Sequence, residues 1–199
     1  MKKRTKVMLT VLCAALLVAA SVMGTMAYLT SKDNVQNTFT VGKLAITLDE
    51  ADTNELGEKL YVPDTTTLMP RVKANEYKLI PGRTYVKDPT VHVAPGSEAS
   101  YVFVRVQNGL ADLPVTLTMA AGWNKLGTLE NIYYQKVDAV GTTAEDLLVF
   151  DQFTVPTTVT NEQLNDGYKD AKITVEAFAC QQDTFDTALA AWDASFADK

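Results

Sequence analysis

Apolar residues recur at every second position through much of this chain, and this alternation limits its fold more than any other feature. A period of two places successive side chains on opposite faces of an extended segment, as in a half-buried β-strand. The clearest run is Val102, Val104 and Val106, and a longer one covers 39–48 with a shift of phase at Gly42. The remaining predicted strands are 91–93, 115–119, 130–137, 147–155 and 171–180.

Short turn motifs separate these runs. Pro81-Gly82, Pro95-Gly96 and Asn108-Gly109 are dipeptides that favour tight turns. A series of about seven to nine short strands with such punctuation is typical of two packed antiparallel sheets. The sequence therefore predicts a mainly β fold, an antiparallel jelly-roll-like β-sandwich.

Two short helices are predicted beside the strands. Thr160 and Gln163 have the spacing of a capping box for a turn at 161–166. Near the C-terminus, four large apolar residues follow helical spacing: Phe185, Leu189, Trp192 and Phe196. We expect this amphipathic helix to begin after Asp183 or Thr184 and to pack on the sandwich.

The N-terminal segment has the three parts of a secretory signal peptide. Basic residues open the chain at positions 2, 3, 4 and 6, residues 7–31 carry no charge, and small or slim residues occupy 24–27. We therefore predict that 1–27 is a signal peptide cleaved between Ala27 and Tyr28. The alternative is a retained membrane anchor, because 25 uncharged residues are long enough to cross a bilayer. The polar far end of the span favours cleavage.

Removal of this segment makes the remaining chain strongly acidic. Four of the 18 basic residues and none of the 24 acidic residues lie in 1–27, so residues 28–199 carry 14 positive and 24 negative charges, a net of −10. This charge repels nucleic acid and anionic lipid, so we predict membrane contact only through the signal peptide before cleavage. The length of 28–199 suits a single secreted domain.

Residues 49–76 are the least regular part of the mature chain, and we predict an irregular, solvated acidic loop there. Asp49, Glu50, Asp52, Glu55 and Glu58 fall within ten residues. Clustered carboxylates suit Ca²⁺, which prefers oxygen ligands, but the spacing matches no EF-hand loop. The sequence therefore predicts no cofactor and leaves calcium as a weak alternative.

The chain has few groups for catalysis, and we predict that it is not an enzyme. His92 is the one histidine of the sequence, which excludes a zinc site with two histidine ligands. The sequence has no nucleophile elbow, paired-cysteine motif or glycine-rich phosphate loop. Cys13 leaves with the signal peptide, so Cys180 is expected to be a small buried strand residue. We predict no catalytic, cofactor-binding or metal-binding residue.

Three stretches of the sequence point to a family when they are taken together. The first is GTMAYLTSKDNVQNTFTVGKLAITLDE, in which Asn37, Phe39 and Gly42 form an N-x-F-x-x-G pattern. The second is IPGRTYVKDPTVHVAPGSEASYVFVRV, and the third is ITVEAFACQQDTFDTALAAW following TVPTTVTNEQL. The chain resembles the family of TasA and camelysin, exported bacterial proteins with a SipW-type signal peptide. It departs from that pattern at Ala94 and Pro95.

The resemblance implies a secreted structural subunit of a fibre at the cell surface or in a biofilm matrix. Such subunits assemble when the mature N-terminal segment, here about 28–48, is donated as a strand into a groove of the next subunit. The side chains expected to fill that groove are Phe39, Val41, Leu44, Ile46 and Leu48. The implied partners are further copies of this chain or related matrix subunits, and a SipW-type signal peptidase during export.

Two functions from other classes stay open at this point. Camelysin relatives carry a peptidase label, so a secreted metallopeptidase is one alternative, although the sequence supplies no zinc motif for it. The other is a monomeric surface-binding module that uses the 49–76 loop.

Cleavage after Ala27 predicts the N-terminus of the secreted protein. N-terminal sequencing of material from the culture medium is expected to begin Tyr-Leu-Thr-Ser, because the peptidase reads the small residues before Tyr28. A mature protein that still carries residues 7–23 would show a retained anchor instead.

Overall fold

The computed structural model describes residues 43–168 and 170–197, with five isolated helical positions near the N-terminus: Lys3, Met8, Leu12, Cys13 and Leu16. The chain forms two compact units, Met1–Val41 and Gly42–Lys199, and the elements named below belong to the second. Within the described residues no helix is both long enough and apolar enough to cross a membrane. The predicted cleavage site, Ala27 and Tyr28, lies outside them.

Nine strands and two short helices make up the described part of this unit. The strands are β1 (Ile46–Asp49), β2 (Thr84–Val86), β3 (Thr90–Val93), β4 (Ser100–Asn108), β5 (Asn124–Lys125), β6 (Ile132–Val137), β7 (Glu145–Leu148), β8 (Gln152–Thr154) and β9 (Ile173–Gln181). The helices are α1 (Asn161–Gly167) and α2 (Ala188–Phe196). Sheet I has the order β1-β3-β7, sheet II has the order β5-β6-β4-β9, and β2 pairs with β8 in a ribbon. All pairings are antiparallel.

Sheets I and II share one apolar core. Val91 and Val93 of β3 pack in one cluster with Val102 and Val104 of β4, and all four side chains have no exposed surface. The chain passes from sheet I to sheet II between β3 and β4 and returns between β6 and β7, as in jelly-roll connections. Two antiparallel sheets around one apolar layer form a β-sandwich. The predicted mainly β, antiparallel sandwich is confirmed.

β4 is buried on both faces, because α2 covers the other side of sheet II. Tyr101 and Phe103 alternate with the core valines of β4 and cluster with residues of α2. Trp192 of α2 lies 5.3 Å from the ring centroid of Phe103 and 5.4 Å from that of Phe178 on β9, both in edge-to-face geometry. Such aromatic pairs add about 0.5–1.5 kcal/mol each to the effect of burial.

A second apolar cluster lies around the β2–β8 ribbon. Tyr85 of β2 stacks on Phe153 of β8 with a centroid distance of 5.0 Å, and Tyr77 meets both rings edge-on. Two leucines also pack in this cluster: Leu110, which follows β4, and Leu164, which lies in α1. The sequence did not predict β2, since a strand of three residues is too short to show a period of two.

The predicted strand at 115–119 is wrong. Val115 is buried and Leu117 and Met119 are half-buried, as the alternation requires, but these residues belong to no sheet. Leu117 packs against both apolar clusters. The alternating burial therefore belongs to a segment that packs against both apolar clusters and does not pair with a neighbouring strand.

The predicted strand at 147–155 is two strands. β7 ends at Leu148 in sheet I, and β8 begins at Gln152 in the ribbon. Between them, Val149 and Phe150 are fully buried in the main core. A continuous apolar run does not reveal that the chain changes its partner strand within it.

Both predicted helices are present, but α2 starts later than expected. At α1, Thr160 Oγ1 accepts from Gln163 N and the Gln163 side chain accepts from Thr160 N, which is the predicted capping box. The N-cap of α2 is Thr187 and not Asp183 or Thr184, because the Thr187 hydroxyl accepts the backbone N–H three residues ahead.

The buried face of α2 also differs from the predicted apolar stripe. Ala188, Ala191 and Trp192 are buried, and Phe196 packs beside them. Leu189, which the sequence placed on the apolar stripe, is 43 % exposed. The face that packs on sheet II therefore consists of two small residues, Ala188 and Ala191, beside the rings of Trp192 and Phe196.

Trp192→Ala is expected to lower the free energy of unfolding by about 3–5 kcal/mol, because it removes a buried ring and leaves a cavity. Leu189→Ala on the same helix is the matched control and should cost less than about 1 kcal/mol, because that side chain is largely in water. Urea denaturation followed by circular dichroism measures both values. Equal losses for the two variants would contradict this packing face.

Candidate functional site

Two strands at the edges of their sheets approach each other at one side of the sandwich. β1 is an edge of sheet I and β9 is an edge of sheet II, and they lie close together without forming a ladder. Their core-facing residues are only half-buried: Ile46, Leu48, Ile173, Val175, Ala177 and Ala179. The apolar core is therefore fully buried at β3 and β4 and only half-buried between β1 and β9. We call this line of contact between the two edge strands the seam.

A groove opens at the seam, with a volume of about 1150 Å³. This exceeds the roughly 300–1,000 Å³ of a typical small-molecule pocket. The end of β1, segment 73–80, α1 and the start of β9 all line it. Its apolar lining consists of Leu48, Leu79, Ile80, Leu110, Phe153, Leu164, Tyr168, Ile173 and Val175. A groove of this volume beside two sheet edges suits an extended peptide better than a compact ligand.

Hydrogen bonds hold one rim of the groove in place. Glu50 exchanges two backbone hydrogen bonds with Val72, with N···O distances of 2.9 and 2.7 Å. Lys73 Nζ donates to Leu48 O of β1. Segment 73–80 therefore starts from a position fixed against the end of β1.

A buried ion pair interrupts the apolar lining. Lys87 Nζ lies 2.7 Å from Glu50 Oε2, and Asn75 Nδ2 donates to Glu50 Oε1 at 2.9 Å. Glu50 is 4 % exposed and Lys87 is 8 % exposed. The exposed charged residues of the lining are Lys73, Glu76, Lys78, Asp170 and Lys172. Removal of one partner of such a pair costs about 3–5 kcal/mol, because the other charge is left buried and unpaired.

Tyr77 connects the Glu50–Lys87 ion pair to the second apolar cluster. Its hydroxyl donates to Val86 O at 2.9 Å, and Lys87 Nζ lies 5.8 Å from its ring centroid. Burial raises the pKa of Tyr77 far above its ordinary value, and the Glu50 carboxylate raises it further. The phenol is therefore neutral at physiological pH, and it serves as a hydrogen-bond donor.

The single histidine lies between two carboxylates of sheet I. His92 Nδ1 of β3 is 2.6 Å from Asp146 Oδ1 of β7, and His92 Nε2 is 2.9 Å from Asp49 Oδ1 of β1. Arg71 Nε also donates to Asp49 Oδ1, and Arg71 Nη2 donates to Asp88 O at 2.9 Å. This network links all three strands of sheet I to the segment before the groove rim.

The network shifts two pKa values in opposite directions. Burial alone would lower the pKa of His92, but hydrogen bonds to Asp49 and Asp146 raise it above its ordinary value. Burial alone would raise the pKa of Asp49, but hydrogen bonds from Arg71 and His92 bring it below its ordinary value. The charged forms of both groups are therefore favoured in the folded protein.

The stretch 49–76 is irregular, as predicted, but its first carboxylates are not solvated. Beyond the end of β1 it contains isolated bridges, and residues 60–68 project with Tyr61 52 % exposed. Asp49 and Glu50 instead form the ion pairs described above, and Lys59 Nζ binds Asp88 at 2.8 Å. The described residues include no group of three His, Cys, Asp or Glu that could hold a metal ion.

The predicted assembly residues divide into two sets. Phe39 and Val41 lie outside the described residues, and their role stays a prediction. Leu44, Ile46 and Leu48 are half-buried, and the last two pack in β1 against their own sandwich. Ile46–Asp49 of the predicted 28–48 segment therefore form a strand of their own sandwich.

Sequence reasoning missed the polar residues of the groove. Glu50 was grouped with the solvated acidic residues, while Asn75, Tyr77 and Lys87 carried no motif. The sequence does contain one signal for Lys87. Lys87 shares the odd-numbered phase of Val91 and Val93, so the alternation of that strand, continued backwards, places it on the core side. Without a known partner, a lysine there is read as a surface residue.

A scan against protein-family models finds no match, and searches of characterised proteins and of solved structures find none either. The resemblance to the TasA and camelysin family therefore stays a prediction from the three sequence stretches.

His92→Gln is expected to remove a pH dependence of stability. Since the folded-state pKa of His92 is raised, its stabilisation is complete below its unfolded value of about 6.5 and is lost as pH rises through the folded value. The wild-type free energy of unfolding should therefore fall between about pH 6 and 9, by about 1 kcal/mol or less, because water screens the exposed Asp146. Urea titrations across this range should give a flatter profile for His92→Gln. Parallel slopes would contradict the ion-paired histidine.

Proposed function

We propose that this protein is a secreted structural subunit of a cell-surface or biofilm-matrix fibre, and that it assembles by donation of its N-terminal strand. The observation that carries this proposal is the large groove, lined by both apolar and polar residues, beside the edge strands β1 and β9. Sheet edges present unpaired backbone groups that bind an added strand. The sequence just before β1 has apolar residues at alternate positions, as a donated strand requires.

The donated segment has chemistry that suits the groove. An added strand supplies main-chain hydrogen bonds to a sheet edge, and its alternate side chains fill pockets. Phe39 and Val41 would lie among the apolar lining near Ile173 and Val175, and each contributes about 1.5–3 kcal/mol when fully buried. The polar residues of the opposite phase, such as Thr38 and Thr40, face solvent.

Donation of this kind builds filaments because donor and groove are different surfaces of the subunit. A contact between unlike surfaces is heterologous and does not close on itself unless the rotation between subunits returns to the start. Each added subunit presents a new groove or a new donor strand. Export by a SipW-type peptidase fits this scheme, since cleavage after Ala27 would free the donor strand outside the cell.

Two variants that lack opposite halves of the contact test this mechanism. A donor-deleted chain starts at Gly42 and keeps the groove, and a groove-blocked mature chain carries Val175→Arg and keeps the donor. Neither is expected to form filaments alone, and their mixture is expected to stop at a one-to-one complex. Size-exclusion chromatography with light scattering and negative-stain microscopy measure these outcomes against the mature chain, which should form filaments.

The control is Leu189→Arg, which adds the same charge at an exposed position of α2. It should assemble as the unaltered mature chain does. Circular dichroism checks that each variant is folded. Filaments from the donor-deleted chain would sink the proposal, and so would its unfolding, since that would make the segment an internal strand of its own sandwich.

A further inference from the structure

The predicted donor segment contains one polar residue in its apolar phase. Val35, Phe39 and Val41 occupy alternate positions, and Asn37 falls in the same phase between them. Successive side chains of a strand point to opposite faces, so residues two apart share a face. A donated strand that buries Phe39 and Val41 therefore also turns Asn37 towards the groove.

The lining of the groove contains one buried ion pair. Among its described charged residues, Glu50 and Lys87 are the buried ones. They are 2.7 Å apart, and Asn75 and Tyr77 line the groove beside them. The Lys87 ammonium has three N–H donors, and among the described residues it donates to Glu50 Oε2 alone. A strand that covers the groove removes water from the other donors, so a side chain at this position has to accept from them.

We propose that the Glu50–Lys87 pair sets the register of the donated strand by binding the side chain of Asn37 from the neighbouring subunit. This inference rests on the proposed function and identifies the residues that choose one alignment among several. A side-chain amide carries both a donor and an acceptor. The Asn37 oxygen accepts from the Lys87 ammonium, and the Asn37 amide nitrogen donates to the Glu50 carboxylate.

The pair discriminates against slipped alignments for two reasons. A slip of one residue turns Phe39 and Val41 out of the groove, since it moves every side chain to the opposite face. A slip of two residues keeps the apolar phase but brings Val35 or Phe39 against Glu50 and Lys87. The ion pair itself stays intact, but an apolar side chain there leaves the other N–H donors of the Lys87 ammonium desolvated and without an acceptor, which is more costly than the loss of one neutral contact. A single buried polar residue fixes register in other assemblies by the same logic.

The test measures assembly of the mature chain, residues 28–199, with changes at the donor and in the groove. Asn37→Leu is expected to raise the critical concentration for filament formation about tenfold, because a leucine cannot bind the ion pair. In the double variant Glu50→Met with Lys87→Met the groove is apolar at this point, and Asn37→Leu should then lower the critical concentration. Sedimentation of filaments at graded protein concentrations gives these values.

Asn34→Leu is the matched control, because Asn34 lies in the opposite phase of the same segment and faces solvent in the donated strand. It should change the critical concentration less than twofold in either groove. An Asn37→Leu effect equal to that of Asn34→Leu, or equal in both grooves, overturns the register proposal and leaves strand donation in place. Absence of filaments from the unaltered chain, with no complex between the donor-deleted and groove-blocked variants, overturns the proposed function itself.

A folding control separates assembly from stability. The Glu50→Met, Lys87→Met variant replaces both charges with apolar side chains of similar length, which is commonly neutral for a buried pair. Asn75 Nδ2 keeps its second hydrogen bond to Ala51 O at 2.9 Å. Circular dichroism should match the unaltered chain, and filaments that form from this variant show that its groove still accepts a strand.

Discussion

The architecture depends on the burial of β4 on both of its faces. Val102 and Val104 close the core shared with sheet I, while Phe103, which points the other way, packs against Trp192 of α2. A strand buried on both sides cannot be exchanged or shifted without the loss of two apolar layers at once. Most of the half-buried residues that pack against the shared core lie on the edge strands β1 and β9.

The groove lies where the fully buried part of the apolar core ends. Full burial extends through β3 and β4, but the residues of β1 and β9 that continue the layer are half-buried. The molecule places charge beside this weakly covered apolar edge, with Glu50 and Lys87 inside the groove and His92 between carboxylates on sheet I. These ion pairs hold the irregular chain after β1 against the sandwich, so the edge keeps a defined shape without a regular strand to cover it.

Alternation was enough to predict the sandwich, because a period of two divides the residues of a strand between its two faces, as the valines and the aromatic residues of β4 show. It was not enough to separate β7 from β8, since Val149 and Phe150 are apolar for the main core while their neighbours pair in different sheets. The groove was harder still to foresee. Glu50 directly follows β1 and Lys87 directly follows β2, so their contact depends on how the ends of these two strands pack, which no local sequence pattern contains.

The position of β1 has a mechanical consequence. In a fibre joined by donated strands, a pull on one subunit passes through the short link after Gly42 into β1. β1 is antiparallel to β3, with Ile46 opposite Val93 and Asp49 opposite Thr90. Force along the strand axis loads these hydrogen bonds together in shear and does not open them one by one from an end. The side-chain contacts of Asp49 with Arg71 and His92 anchor the far end of β1, so in the proposed fibre the tension would be held within each subunit by β1 and these contacts.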